Sequence, residues 1–191
     1  MEQHRLLHPG LRFLHFAPEA GLERRLRARL GGSYRTTDLF MAGVDYREDI
    51  TRMSLPDASF DFIYCSNVLE HVPADTSAMN ELFRILAPGG RLVVQVPIKG
   101  DCTYENPAII LPAERALHFG QADHVRYYGR DIHSRLESAG FRVEECYLQD
   151  RLTLAPEAVV RFNVAARELL HLCTKPGPDG TVRPWPGGQG A

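Results

Sequence analysis

Lysine is almost absent from this 191-residue chain. Lys99 and Lys175 are the only two, so arginine carries nearly all of the positive charge. With 22 basic and 24 acidic residues the formal net charge is −2. That leaves no general electrostatic attraction for nucleic acid or for an anionic membrane. No apolar run approaches the roughly 18 residues that a membrane span needs, and the N-terminus lacks a signal-peptide core. The four cysteines, Cys65, Cys102, Cys146 and Cys173, are widely scattered and form no CxxC pair. They read as thiols of a reducing, cytoplasmic compartment, not as a disulfide framework or a metal centre. There is no internal repeat. Glycine is scarce where a nucleotide-binding turn would want it: between Phe13 and Leu22 only Gly21 is present, which excludes the three-glycine dinucleotide fingerprint.

What is present is ordinary for one globular domain, with 44% hydrophobic and 24% charged residues. Phe13 to Phe16 reads as a short apolar strand running through Ala17-Pro18-Glu19 into a helix, in which Leu22, Leu26 and Leu30 recur every four positions. A strand, a tight turn and a helix N-terminus offer backbone N–H groups to an anionic ligand, although an ordinary βα junction looks the same. Gly31-Gly32 closes that helix, and a second strand over 33–37 ends at Asp38. Residues 44–50 give a third candidate strand ending in Asp49-Ile50. Residues 60–65 give a fourth, apolar enough to be a buried parallel strand. Met79, Leu82, Phe83 and Leu86 mark a helix over 76–86, with Asp75 or Thr76 as its cap. Pro88-Gly89-Gly90 stops it, and residues 91–96 form strand five. Residues 98–129 break the alternation as a long insertion rich in aromatic and hydrogen-bonding side chains. Asp131 is placed to cap a helix through Ala139. A strand follows over 141–148, then a short helix over 156–161 and a last strand over 167–174. Residues 176–191, rich in Pro and Gly, read as a disordered tail.

Alternating strands and helices predict an α/β fold, a doubly wound, mostly parallel sheet of seven strands with helices on both faces. Several spacings carry the match further. "DASFDFIYCSNVLEHV" followed by "AMNELFRILAPGGRLVVQVP" resembles the middle of the class I S-adenosylmethionine-dependent methyltransferases. "LHFAPE" at Leu14–Glu19 and "FGQADHVRYYGRD" at Phe119–Asp131 resemble a narrower subgroup of that family. The resemblance covers about residues 2–174, and implies a methyltransferase domain over 1–175 with 98–129 as a lid over the acceptor.

The resemblance also implies roles. Ala17, Pro18, Glu19 and Gly21 fall in the cofactor-binding turn, with Ala17 and Glu19 where the family commonly has glycine. Glu19 puts a carboxylate near the amino-acid end of the cofactor, where it either accepts from the ammonium group or repels the carboxylate. Asp38, followed by Leu39, matches the acid that accepts from the ribose hydroxyls. Asp49 with Ile50 matches the acid that meets the adenine amino group. Ser66 and Asn67 lie where the methionine part binds. Asp38 and Asp49 read equally as turn or cap residues, and Asn67 as a satisfier of local backbone. His124 and His71 are the candidates to take a proton from the acceptor. Tyr104, Glu105, His118, Arg126 and Tyr128 are candidates to line its pocket. Methyl transfer from S-adenosylmethionine to a small-molecule acceptor is therefore the expected activity. A cofactor-binding but inactive partner subunit and a nicotinamide oxidoreductase are the alternatives.

Overall fold

A computed structural model describes residues 6–147 and 168–185. Its centre is a six-stranded sheet in the order β2-β1-β3-β4-β8-β7. The strands are β1 (Phe13–Phe16), β2 (Tyr34–Thr37), β3 (Phe60–Ser66), β4 (Leu86–Gln95), β7 (Arg142–Tyr147) and β8 (Leu169–Thr174). The strands from β2 to β4 are mutually parallel; β8 runs antiparallel to both β4 and β7. Helices α1 (Ala20–Leu30), α2 (Asp75–Ile85) and α4 (Ile132–Ser138) connect the strands.

All four residues of β1 are buried, as expected of a central strand covered on both faces. Strand alternation then splits the core in two. Leu14, Phe16, Ile63 and Cys65 face one side, where Met79, Leu82 and Ile85 of α2 and Leu136 of α4 meet them. Phe13 and Phe62 face the other, stacked at 4.8 Å, and join Leu26 and Leu30 of α1. Among the described residues no helix is long and apolar enough to cross a membrane.

Four expectations need correction. The strand over 44–50 shrinks to a single parallel bridge between Thr37 and Tyr46, so among the described residues the sheet has six strands, one fewer than the expected seven. The cause is Asp45: its carboxylate accepts from both the Thr36 N–H and the Thr36 hydroxyl at 2.9 Å, taking a bond that a ladder would have used. Neither Asp75 nor Thr76 caps α2. The cap position is Ala74, and Asp75 turns into the core. Asp131 does stand at the cap of α4, yet its carboxylate accepts from the N–H and hydroxyl of Thr103 instead. Finally, residues 176–185 are not loose. Trp185 is buried edge-on against Phe62, Arg91 lies over its ring, and Arg91 donates to the Pro184 carbonyl. The expected helix over 156–161 lies outside the described residues.

The 98–129 insertion has structure of its own. It holds β5 (Tyr104–Glu105), α3 (Pro112–Phe119) and β6 (Arg126–Tyr127), with β5 and β6 paired antiparallel. A bridge between Ile98 and Tyr128 returns it to the end of β4. Gly129 makes that return possible, since a Cβ there would collide with the Cys102 backbone.

Candidate functional site

The register of the sheet brings three loops together. Phe16 stands level with Thr37 of β2 and Cys65 of β3, so the residues that leave these strands emerge side by side at their carboxyl ends. Open α/β sheets bind ligands at such a place. Ala17 turns out of β1 with φ 48°, and its N–H donates to the Thr37 carbonyl. Asn67 turns out of β3 with φ 52°, and its N–H donates to the Gln95 carbonyl. Both occupy the left-handed region that glycine adopts freely. At Ala17 the chain therefore keeps the backbone conformation of the glycine it lacks. Ser66, buried beside Asn67, donates to the Gln95 side chain at 2.5 Å.

Glu19 is the N-cap of α1 but makes no side-chain cap bond, so the first-turn N–H groups of α1 are not taken by a side chain. Its carboxylate instead accepts from His15 Nε2 at 2.9 Å. The fully buried His15 ring accepts in turn, at Nδ1, from the Tyr34 hydroxyl at 2.7 Å. The His15 bond holds the Glu19 carboxyl below its usual range. Pro18 beside it is buried, and Gly21 is exposed in the first turn of the helix. His15 is a site residue that sequence reasoning missed. Its signal was a lone polar residue in the middle of an otherwise apolar strand.

Asp38 follows β2. One oxygen, Oδ1, accepts from the N–H groups of Phe40 and Met41 at 2.7 Å, which builds the turn; Oδ2 takes no part in it. Leu39 next to it is exposed. Asp49 likewise builds a turn, accepting from the N–H and hydroxyl of Thr51. Ile50 is buried among Met53, Leu55 and other core residues. Positive φ at two loop exits, an uncapped helix start and a half-free carboxylate fit a nucleoside carrying an amino acid. A cavity of about 760 Å³ lies elsewhere: Asp61, Phe62, Gly90 and Arg91 help to line it, where β3 begins beside β4. The turns at Ala17, Asp38 and Asn67 lie at the other, carboxyl, ends of the strands.

On the acceptor side the structure corrects two assignments. Arg126 is 3% exposed and points inward. It donates to Glu105 and to the carbonyls of Leu69, Val72 and Pro73, which clamps the insertion to the loop after β3. Tyr128 is fully buried and donates to Asp75. Neither has an atom left for an acceptor. Glu105 is bound by Arg126 and Arg135. Tyr104 and His118 are hydrogen-bonded to each other at 2.8 Å and exposed, so they form surface of the insertion.

His71 and His124 do come together, with ring centroids 4.6 Å apart. His124 is buried and its Nδ1 lies 3.0 Å from the Phe119 carbonyl. Burial holds the His71 pKa below its ordinary value. Glu70, which sequence reasoning left unassigned inside "NVLEH", stands with them. Burial pushes its carboxyl up to about 7, and the charge of Asp123 acts in the same direction.

Residues 24–94 match the family model described as "Methyltransferase domain". A sterol 24-C-methyltransferase of Yarrowia lipolytica is 30% identical over 119 residues, covering 60% of this chain and 30% of the relative. A probable S-adenosylmethionine-dependent methyltransferase of Mycolicibacterium smegmatis is 31% identical over 108 residues, covering 53% of this chain and 37% of the relative. The chain thus spans about a third of the length of these curated relatives. Among solved structures, phosphoethanolamine N-methyltransferase 2 of Haemonchus contortus, in complex with phosphomonomethylethanolamine and S-adenosylhomocysteine, shares the fold. Its TM-score is 0.60 at 13% identity, over 88% of this chain and 50% of that one.

Proposed function

We propose that the chain, whose residues 24–94 match a methyltransferase domain, is a class I S-adenosylmethionine-dependent methyltransferase that methylates a small-molecule acceptor by in-line displacement. The observation that supports this most is the convergence of Ala17–Glu19, Asp38 and Ser66–Asn67 at the carboxyl ends of three neighbouring parallel strands. S-adenosylmethionine supplies an activated methyl group on its sulfonium. The work left to the protein is to bind, align and keep out water.

In this reading the Asp38 Oδ2 accepts from the ribose hydroxyls, while Oδ1 keeps the loop in shape. Glu19, charged and steered by His15, accepts from the ammonium group of the methionine part. The open N–H groups at the start of α1 meet its carboxylate. Asp49 is kept as the acid for the adenine amino group. The 98–129 insertion serves as a fixed wall of the acceptor site and not as a closing lid, because Arg126 clamps it to residues 69–73. Where an acceptor must lose a proton, the candidates are His71, in the segment that leaves β3, and His124, which the end of the insertion brings against it. Free thiols at all four cysteines among the described residues suit a cytoplasmic setting.

The test is methyl transfer itself, followed as S-adenosylhomocysteine formed over a panel of hydroxyl, amine and thiol metabolites. Turnover dependent on one acceptor class is the expected result. Tight cofactor binding with no turnover on any acceptor would leave the inactive partner subunit as the better account.

A further inference from the structure

The short helix Leu69–His71 and the end of the 98–129 insertion bring Glu70, His71 and His124 together, one ligand atom from each lying within 4.8 Å of the other two. Glu70 is 2% exposed and His124 3%. Glu70 Oε2 and His124 Nε2 are both sealed from solvent and neither has a hydrogen-bond partner. A buried carboxylate oxygen and a buried imidazole nitrogen are costly in that condition. A direct bond between the two would satisfy both, and the structure does not make it.

The surrounding bonds prepare the imidazoles for something else. His124 Nδ1 lies 3.0 Å from the Phe119 carbonyl, so Nδ1 carries the proton and Nε2 keeps its lone pair. His71 Nδ1 lies 3.3 Å from the Asp123 carboxylate, which sets its tautomer in the same way. A backbone acceptor behind one imidazole and a carboxylate behind the other is the usual support for metal-binding histidines. The backbone fixes the spacing as well: the Val125 N–H donates to the Glu70 carbonyl at 2.9 Å, tying the two segments side by side.

We propose that Glu70, His71 and His124 form a site for one divalent first-row transition-metal ion. Two imidazoles and one carboxylate suit zinc, cobalt, manganese or iron, whereas calcium and magnesium prefer all-oxygen sets. Metal–ligand distances of about 2.0–2.2 Å place donors roughly 3–4 Å apart, so side-chain rotation closes the cluster around an ion. Three protein ligands leave coordination positions open. The side chain of His71 is 32% exposed, and the open side lies there. This assignment makes His71 and His124 ligands and not proton acceptors. It does not rest on methyl transfer.

The experiment uses the full chain, stripped with chelator and titrated with cobalt(II), with bound metal counted after dialysis and read by its visible absorption. One ion per chain is expected, without the thiolate charge-transfer band that ligation by cysteine would give. Glu70→Gln and His124→Ala should each weaken binding at least about tenfold, while His8→Ala should bind as the parent does. Should His124→Ala fail to fold, Glu70→Gln, which keeps shape and volume, decides alone. No ion bound, equal affinity in Glu70→Gln, or a thiolate band would overturn the site. S-adenosylhomocysteine binding, measured on the stripped protein, separates such a failure from a failure of the methyltransferase reading.

Discussion

Ala17 holds φ at 48°, where an L side chain crowds the following carbonyl. The turn it makes leads from β1 into α1, and the bond from its N–H to the Thr37 carbonyl keeps it there. Ala17→Val puts a β-branched side chain into the same conformation and should cost about 1–3 kcal/mol, whereas Ala17→Gly should fold at least as well as the parent. Thermal unfolding checks this, and equal melting temperatures for the Val and parent proteins would show that the turn is not strained. Residue identities were readable at this scale, but their partners were not. Asp38 follows β2 and Glu19 precedes α1, as the sequence order suggests. Arg126 has the look of a substrate-binding residue in the sequence, because a string of letters shows a charge and not the carbonyls of Leu69, Val72 and Pro73 that consume it. His15 and Glu70 were passed over for the converse reason. Tyr34 reaches His15, and His124 comes near Glu70, only in the fold.

Elements follow from periodicity where both faces are buried and fail at the sheet edge. The leucine spacing of α1 and the apolar period of α2 were legible because packing uses those faces. Residues 44–50 had a strand-like pattern, yet Asp45 diverts the Thr36 bonds and only one bridge forms. Edge pairing depends on such single side chains, which composition does not weigh. The insertion is held by a part-buried network: Arg126 meets Glu105, and Arg135 meets both Glu105 and Asp75. Removing Arg126 leaves the Leu69, Val72 and Pro73 carbonyls without their donor, so Arg126→Ala should cost about 1–3 kcal/mol in stability. Denaturant unfolding reads this directly. A stable Arg126→Ala protein with impaired turnover would return Arg126 to the acceptor site.

At the scale of the whole molecule, two features tie stability to regions far from the ligand. Trp185 is 5% exposed and closes the core on the α1 face of the sheet, against Phe62. Trp185→Ala should cost about 3–5 kcal/mol, and truncation at residue 175 should lower the melting temperature by a comparable amount. An unchanged melting temperature would show that the segment contributes nothing. The Pro and Gly composition concealed this because one aromatic anchor does not alter an average. His171 in β8 is paired on both sides and fully buried. Burial lowers its pKa from 6.5 to about 4, against the opposing pull of Glu145. The unfolded chain takes up that proton below about pH 6.5 and the folded chain only below about 4, so stability falls as pH drops through this window, by up to about 3 kcal/mol. His171→Leu should flatten the fall in melting temperature; an unaltered slope would assign it to other groups. The central claim, that the carboxyl ends of β1, β2 and β3 bind the methyl donor, is tested most directly by calorimetric titration of the parent and Asp38→Asn proteins with S-adenosylhomocysteine and NAD. Asparagine keeps an oxygen for the Phe40 and Met41 N–H groups, so the turn survives while the charge is lost. The account predicts S-adenosylhomocysteine binding by the parent, a loss of about 1.5–3 kcal/mol in Asp38→Asn at unchanged melting temperature, and no NAD binding. Undiminished affinity in Asp38→Asn, or binding of NAD in place of S-adenosylhomocysteine, would contradict it.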